Sequence, residues 1–182
     1  MTKKYNSVLI IGMGLIGSSI SRALVENHVA NSVYGLDSDD KIIKKCQDLN
    51  LLVQGETNLK NFDLQFDLII ICTPLSAYKN IFSALSGFIS QPTLITDVGS
   101  TKMSTISDFK NAVTNNNMTF VPSHPIAGLE KSGPEYGFSK LFDNRYCILT
   151  PHEANDAATS SISEMWKSIG MTVEIMEADR HD

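Results

Sequence analysis

Apolar residues fall in short unbroken runs along this chain, at 8–11, 33–36, 68–72, 94–96, 120–121, 146–149 and 173–175. The stretch Asp67-Leu-Ile-Ile-Ile-Cys-Thr-Pro74 is continuous rather than alternating. Such runs predict strands covered on both faces, which is the condition of a parallel sheet. Between them lie segments with helical spacing at 15–27, 40–48, 77–88, 103–113 and 154–168. In the first of these, Ile16, Ile20, Ala23 and Leu24 share one face. Met103, Ile106 and Val113 make a weaker stripe of the same kind. Alternating strand and helix units predict a doubly wound α/β fold, with a mostly parallel sheet and right-handed crossovers.

Composition narrows the picture without deciding it. With 182 residues, 42% of them apolar, the chain can bury one well-packed core. A net charge of −5 argues against nucleic acid or an anionic membrane surface as the main partner. The three cysteines, Cys46, Cys72 and Cys147, are widely spaced and odd in number. Their spacing predicts neither a disulfide framework nor a metal site, and reads as buried reduced thiols of a cytoplasmic protein. The opening Met1-Thr-Lys-Lys followed by an apolar run resembles a secretory leader, but glycines interrupt the run at ordered spacing. It reads instead as the first strand.

Candidate chemistry begins directly after that strand. Gly12, Gly14 and Gly17 form a G-x-G-x-x-G pattern between an apolar run and a helical one, with Leu15 and Ile16 at the helix start. Gly12 permits a tight turn, Gly14 lets backbone amides approach a pyrophosphate, and Gly17 lets the helix pack closely on the sheet. Asp37 closes the second strand twenty positions after Gly17, where a carboxylate accepts hydrogen bonds from a ribose. The pattern predicts a Rossmann-like nucleotide-binding domain. The carboxylate of Asp37 would repel a 2′-phosphate, which favours NAD over NADP; Lys41, Lys44 and Lys45 nearby leave NADP open. Thr73 and Pro74, at another strand end, are expected beside the cofactor. Ser100 and Thr101 are expected to cap the following helix, and Ser100 is equally a candidate for the active site.

The stretch Ser123-His-Pro-Ile-Ala-Gly-Leu-Glu-Lys-Ser-Gly-Pro-Glu-Tyr-Gly-Phe138 has no apolar periodicity and reads as a functional loop. It follows the strand at 120–121, so Ser123 and His124 are expected at the same sheet edge as the glycine turn. His124 precedes a proline and lies close to Gly128 and Gly133. A neutral imidazole there can accept a hydroxyl proton as hydride leaves the same carbon. His28, His152 and His181 lack that setting.

Taken together, Gly12-Met-Gly-Leu-Ile-Gly-Ser-Ser-Ile20, Asp97-Val-Gly-Ser-Thr-Lys102, the His124 loop through Pro151 and the closing Asp179-Arg-His-Asp182 resemble the prephenate dehydrogenase family. That family includes arogenate and cyclohexadienyl dehydrogenases of tyrosine biosynthesis. The resemblance runs through essentially the whole chain. It implies NAD-dependent oxidative decarboxylation of prephenate to 4-hydroxyphenylpyruvate, or of arogenate to tyrosine, with no metal. It further implies that His124 is the catalytic histidine, that Ser100 works beside it, and that Glu130 lies near the side chain of the substrate. It matches Gly12, Gly14, Gly17 and Asp37 to the family's nucleotide site; with Leu15, Ile16, Thr73 and Pro74 these make up the expected cofactor-binding set.

Two departures from the family matter. Leu129 stands where the family often has threonine, which bears on substrate specificity. Against the family pattern, residues 1–177 read as the dinucleotide-binding domain and 178–182 as the opening of a helical domain that is otherwise absent. The resemblance assigns homodimer contacts and a carboxylate-gripping arginine to that domain. Two functions from different classes follow: a prephenate or arogenate dehydrogenase, and a dinucleotide-binding module that holds NAD without turnover. A β-hydroxyacid-type dehydrogenase is a further rival, but it does not account for the Glu130-Lys-Ser-Gly133 segment.

Overall fold

A computed structural model describes residues 5–182. Its frame is a parallel sheet with strand order β3-β2-β1-β4-β5-β6. In chain order the elements are β1 (Tyr5–Ile11), α1 (Leu15–Glu26), β2 (Ala30–Leu36), α2 (Asp40–Asp48) and β3 (Gln54–Glu56). They continue with β4 (Leu68–Ile71), α3 (Tyr78–Phe88), β5 (Thr93–Asp97), α4 (Met103–Ala112) and β6 (Met118–Val121). Winding reverses between β1 and β4, which creates a crevice at the carboxyl ends of those two strands.

The unbroken apolar runs behave as their pattern predicts. Val8, Ile10, Leu68 and Ile70 face one core, packed by α1, by Ile43 and Cys46 of α2, and by Ile162 and Trp166 of a later helix. Leu9, Ile11, Ile69 and Ile71 face the other, packed by Tyr78, Phe82 and Leu85 of α3 and by a cluster of phenylalanines. Residues one apart on a strand point to opposite faces, so a strand buried on both must be apolar throughout.

Beyond β6 the chain changes partners. Pro122 has no N–H to donate, so the ladder to β5 cannot continue through it. The chain resumes as β7 (Ser123–Pro125), antiparallel to β8 (Tyr146–Leu149), which in turn runs parallel to β9 (Thr172–Ile175). Pro122 keeps a link by accepting the Thr150 N–H at 3.0 Å. Helix α5 (Asp156–Ser168) connects β8 to β9, and a single turn, α6 (Ala178–His181), closes the described residues.

All seven expected strands are present, with ends shifted by a few residues. Two others, β3 and β7, lack an apolar run: β3 is a three-residue edge strand and β7 reads Ser-His-Pro. The segment 123–138 is therefore not wholly loop, because its first three residues find a partner in β8. The three cysteines carry free thiols, with Cys46 and Cys147 buried and Cys72 partly exposed. No helix among the described residues is long and apolar enough to cross a membrane.

Candidate functional site

At the end of β1 the chain turns through Gly12, whose φ of +94° disfavours any side chain. A Cβ at Gly12 would also lie 2.8 Å from the Cys72 carbonyl at the end of β4. A Cβ at Gly17 would come within 2.0 Å of the Gly12 carbonyl oxygen, so α1 seats on the turn only because position 17 has no side chain. Gly14 differs, since a Cβ there would meet nothing within 4 Å. It is the N-cap of α1 and supplies no side-chain cap, so the first-turn amides of this helix are open to an anion. Leu15 is buried and Ile16 packs against the core, so these two residues present backbone rather than side chain to the turn.

Asp37 follows β2 and points back at the turn. One carboxylate oxygen accepts the Met13 N–H at 2.8 Å and the other accepts the Asp39 N–H at 3.0 Å. Gly12, Gly14, Asp37, Thr73 and Pro74 line a single cleft of about 430 Å³. The Thr73 hydroxyl in that cleft is buried without a hydrogen-bond partner among the described residues. A buried hydroxyl is costly to leave unpaired, so this one is suited to a ligand. An uncapped helix start, an unobstructed Gly14, an anchored carboxylate and an orphaned hydroxyl are together what a dinucleotide requires. Of the nearby lysines, Lys45 is paired with Glu135 at 2.5 Å, while Lys41 and Lys44 are exposed.

His124 lies in β7, directly after a buried polar hub. The Lys102 ammonium donates to Asp97 at 2.6 Å and to the Ser123 carbonyl at 2.7 Å. Asp97 accepts the Ser123 N–H at 2.9 Å through its other oxygen. The Ser123 hydroxyl donates to the Asp97 carbonyl at 2.5 Å and accepts the Trp166 indole N–H at 3.1 Å. Lys102, Asp97, Ser123 and Trp166 are all fully buried. Every polar group of Ser123 is thus engaged, which holds the backbone that presents His124.

His124 itself is half-buried, and its Nδ1 lies 2.9 Å from Nε2 of His181. Burial pushes its pKa below the ordinary imidazole value; His181 and Lys102 push the same way, against Asp97 and Asp182. The neutral, proton-accepting form is therefore favoured. His181 in turn contacts Asp182 at 2.8 Å through Nδ1. Nothing local to His181 signals this contact across 57 positions, and the sequence pattern leaves it unassigned.

The expected capping by Ser100 and Thr101 is not what the structure has. Helix α4 has Lys102 at its N-cap with no side-chain cap of its own. Asp182 provides one from 80 residues away, accepting the Lys102 N–H at 2.7 Å and the Met103 N–H at 2.9 Å. The Thr101 hydroxyl pairs with that of Ser104 at 2.8 Å, and Ser100 is exposed. Glu130 is also exposed in the segment after β7. Asp97, Lys102, Ser123, His181 and Asp182 are the site-forming residues that the sequence pattern left unassigned.

Fold and cleft define a nucleotide-binding α/β domain with a half-buried histidine on the short strand that follows β6. The family model for "Prephenate dehydrogenase, nucleotide-binding domain" matches residues 20–175, and the chain belongs to that family. Cyclohexadienyl dehydrogenase of Zymomonas mobilis is 32% identical over 179 residues, covering 98% of this chain and 60% of its own length. Prephenate dehydrogenase of Bacillus subtilis is 30% identical, covering 100% of this chain and 49% of its own. Among solved structures, prephenate dehydrogenase from Aquifex aeolicus in complex with hydroxyphenyl propionate and NAD+ superposes with a TM-score of 0.90 at 31% identity. That match covers 97% of this chain and 61% of the Aquifex one. The chain thus spans about half to three-fifths of the length of these relatives.

Proposed function

We propose that this chain is the nucleotide-binding part of an NAD-dependent dehydrogenase that oxidatively decarboxylates prephenate or arogenate. The observation that carries this reading is the placing of His124. It follows a fully hydrogen-bonded Ser123, has its Nδ1 engaged, and leaves Nε2 without a partner among the described residues. NAD, held by the glycine turn and Asp37, would supply the acceptor for the hydride of the ring carbon that bears the hydroxyl. His124 accepts the hydroxyl proton as that hydride departs. The C–O bond becomes a carbonyl, the ring carboxylate leaves as CO2, and its electron pair aromatises the ring. The proton then returns to the phenolate oxygen. Orientation and general-base assistance are the contributions required of the protein, the second worth about 10²–10⁴ in rate.

In this reading, Gly12, Gly14, Gly17 and the amides of Leu15 and Ile16 hold the pyrophosphate. Asp37 holds the adenosine ribose and selects NAD, and Thr73 and Pro74 flank the cofactor. Ser100 stands beside His124 at the substrate hydroxyl, and Glu130 meets the substrate side chain. Residues 1–177 form the dinucleotide domain and 178–182 lead into a helical domain through which a homodimer assembles. Three free thiols and a net charge of −5 support a cytoplasmic protein with no nucleic-acid or membrane partner.

A second reading, NAD binding without turnover by these 182 residues, is favoured by one observation. Ile126 and Leu129 are 46% and 51% exposed and Glu130 is exposed, so the segment that follows His124 is open to water among the described residues. Calorimetric titration with NAD+, run beside turnover assays with prephenate and arogenate, tests both readings. Binding with turnover supports the first and binding alone the second; no binding at millimolar NAD+ removes both.

A further inference from the structure

Asp182, His181 and His124 form a continuous row. We propose that His181, held by Asp182, is a positioning residue that sets the tautomer of His124 and leaves Nε2 as its proton-accepting atom. The proposal rests on His124 being the base of the reaction proposed above.

An ionised carboxylate only accepts hydrogen bonds, so the ring nitrogen beside it carries the hydrogen. That atom is Nδ1 of His181, 2.8 Å from Asp182. In a neutral ring the other nitrogen, Nε2, then has only a lone pair. It lies 2.9 Å from Nδ1 of His124, so the hydrogen between the two rings belongs to His124. A neutral His124 with hydrogen on Nδ1 has its lone pair on Nε2. The tautomer of a histidine is set by the bond its second nitrogen makes, and here that bond is to another histidine.

The row is anchored at its far end. Both oxygens of Asp182 accept amides at the start of α4, at 2.7 and 2.9 Å, so the carboxylate cannot swing away without uncapping that helix. The His181 side chain is only 4% exposed, and its ring meets that of His124 edge-on with centroids 5.1 Å apart. The charged and titratable groups facing His124 are His181, Lys102, Asp97 and Asp182. In the reaction, the O–H bond of the substrate breaks and an N–H bond forms at Nε2. His124 becomes an imidazolium that still donates Nδ1–H to His181. Asp182 offsets the new charge through the intervening ring and takes no proton itself.

Long-range proton–nitrogen NMR of the histidine rings reads the tautomer directly and needs neither cofactor nor substrate. The expected result above the titration of His124 is a protonated Nδ1 and a bare Nε2. His181→Leu should shift His124 toward hydrogen on Nε2, the form free imidazole side chains prefer. His181→Gln, whose carbonyl oxygen can stand near the place of Nε2, should retain Nδ1–H. In turnover, His181→Leu should lower kcat by about 10²–10⁴ with the KM for NAD+ unchanged, and His181→Gln should recover part of it. Hydrogen on Nε2 of wild-type His124, or one tautomer in all three proteins, would overturn the proposal. Failure of the functional reading looks different: full activity in His124→Asn, or no NAD+ binding, whatever the tautomer.

Discussion

The ammonium of Lys102 sits 2.6 Å from the carboxylate of Asp97, with both side chains wholly excluded from solvent. This pair fastens the start of α4 to the end of β5, and through Ser123 it fixes the strand that carries His124. Removing one partner of a buried pair strands the other charge, at a cost of about 3–5 kcal/mol. Lys102→Met should therefore lower unfolding free energy by that amount in urea titration. The double variant Lys102→Met, Asp97→Leu should recover much of it, because no charge is then left buried. Equal losses in the single and double variants would contradict this account.

The glycine turn separates packing from binding. Gly17→Ala forces a methyl against the Gly12 carbonyl and should cost about 1–3 kcal/mol of stability as well as NAD+ affinity. Gly14→Ala meets open space, so its stability cost should stay within about 1 kcal/mol. Its NAD+ affinity should still fall roughly tenfold, equivalent to about 1.4 kcal/mol, as the methyl enters the anion's approach. Denaturation curves and calorimetry on the two variants resolve the contrast.

Asp37 is anchored by two backbone amides, which hold its carboxylate against the glycine turn. Wild-type protein should bind NAD+ more tightly than NADP+. Asp37→Ser should narrow that gap, mostly through better NADP+ binding, since a like charge is removed from the path of the 2′-phosphate. Titrations with both nucleotides measure it, and a wild-type preference for NADP+ would refute the assignment.

His124→Asn should keep NAD+ affinity while losing about 10²–10⁴ in kcat. Burial disfavours the imidazolium, so the folded pKa of His124 lies below its unfolded value. The base form accordingly persists to lower pH than in a free side chain, and the acid limb of kcat/KM should fall below about pH 6.5. The same shift makes stability rise with pH between the folded and unfolded values, and that slope should vanish in His124→Asn. An acid limb above pH 7 in the wild type would be inconsistent with this site.

How much was legible depended on distance along the chain. Strand β1, the turn at Gly12, α1, β2 and Asp37 lie within 37 residues, and each step has a local cause: an apolar run, a positive φ, a helical stripe, a carboxylate at a strand end. The capping of α4 was expected from Ser100 and Thr101 because caps are usually local, yet Asp182 supplies it. Ser123, His124 and Pro125 carry no strand signal of their own; the partner β8 makes them a strand.

The sequence by itself determined the doubly wound parallel sheet and the glycine turn after β1, and it singled out His124 as the candidate base. Periodicity, glycine geometry and side-chain chemistry are properties of neighbouring residues, so they can be read in order. Only the tertiary structure decided what surrounds that histidine: the Lys102–Asp97 pair beneath it, His181 against its ring and Asp182 behind. Those contacts are directional hydrogen bonds between segments up to 80 residues apart, and their geometry exists only once the sheet has brought the ends together.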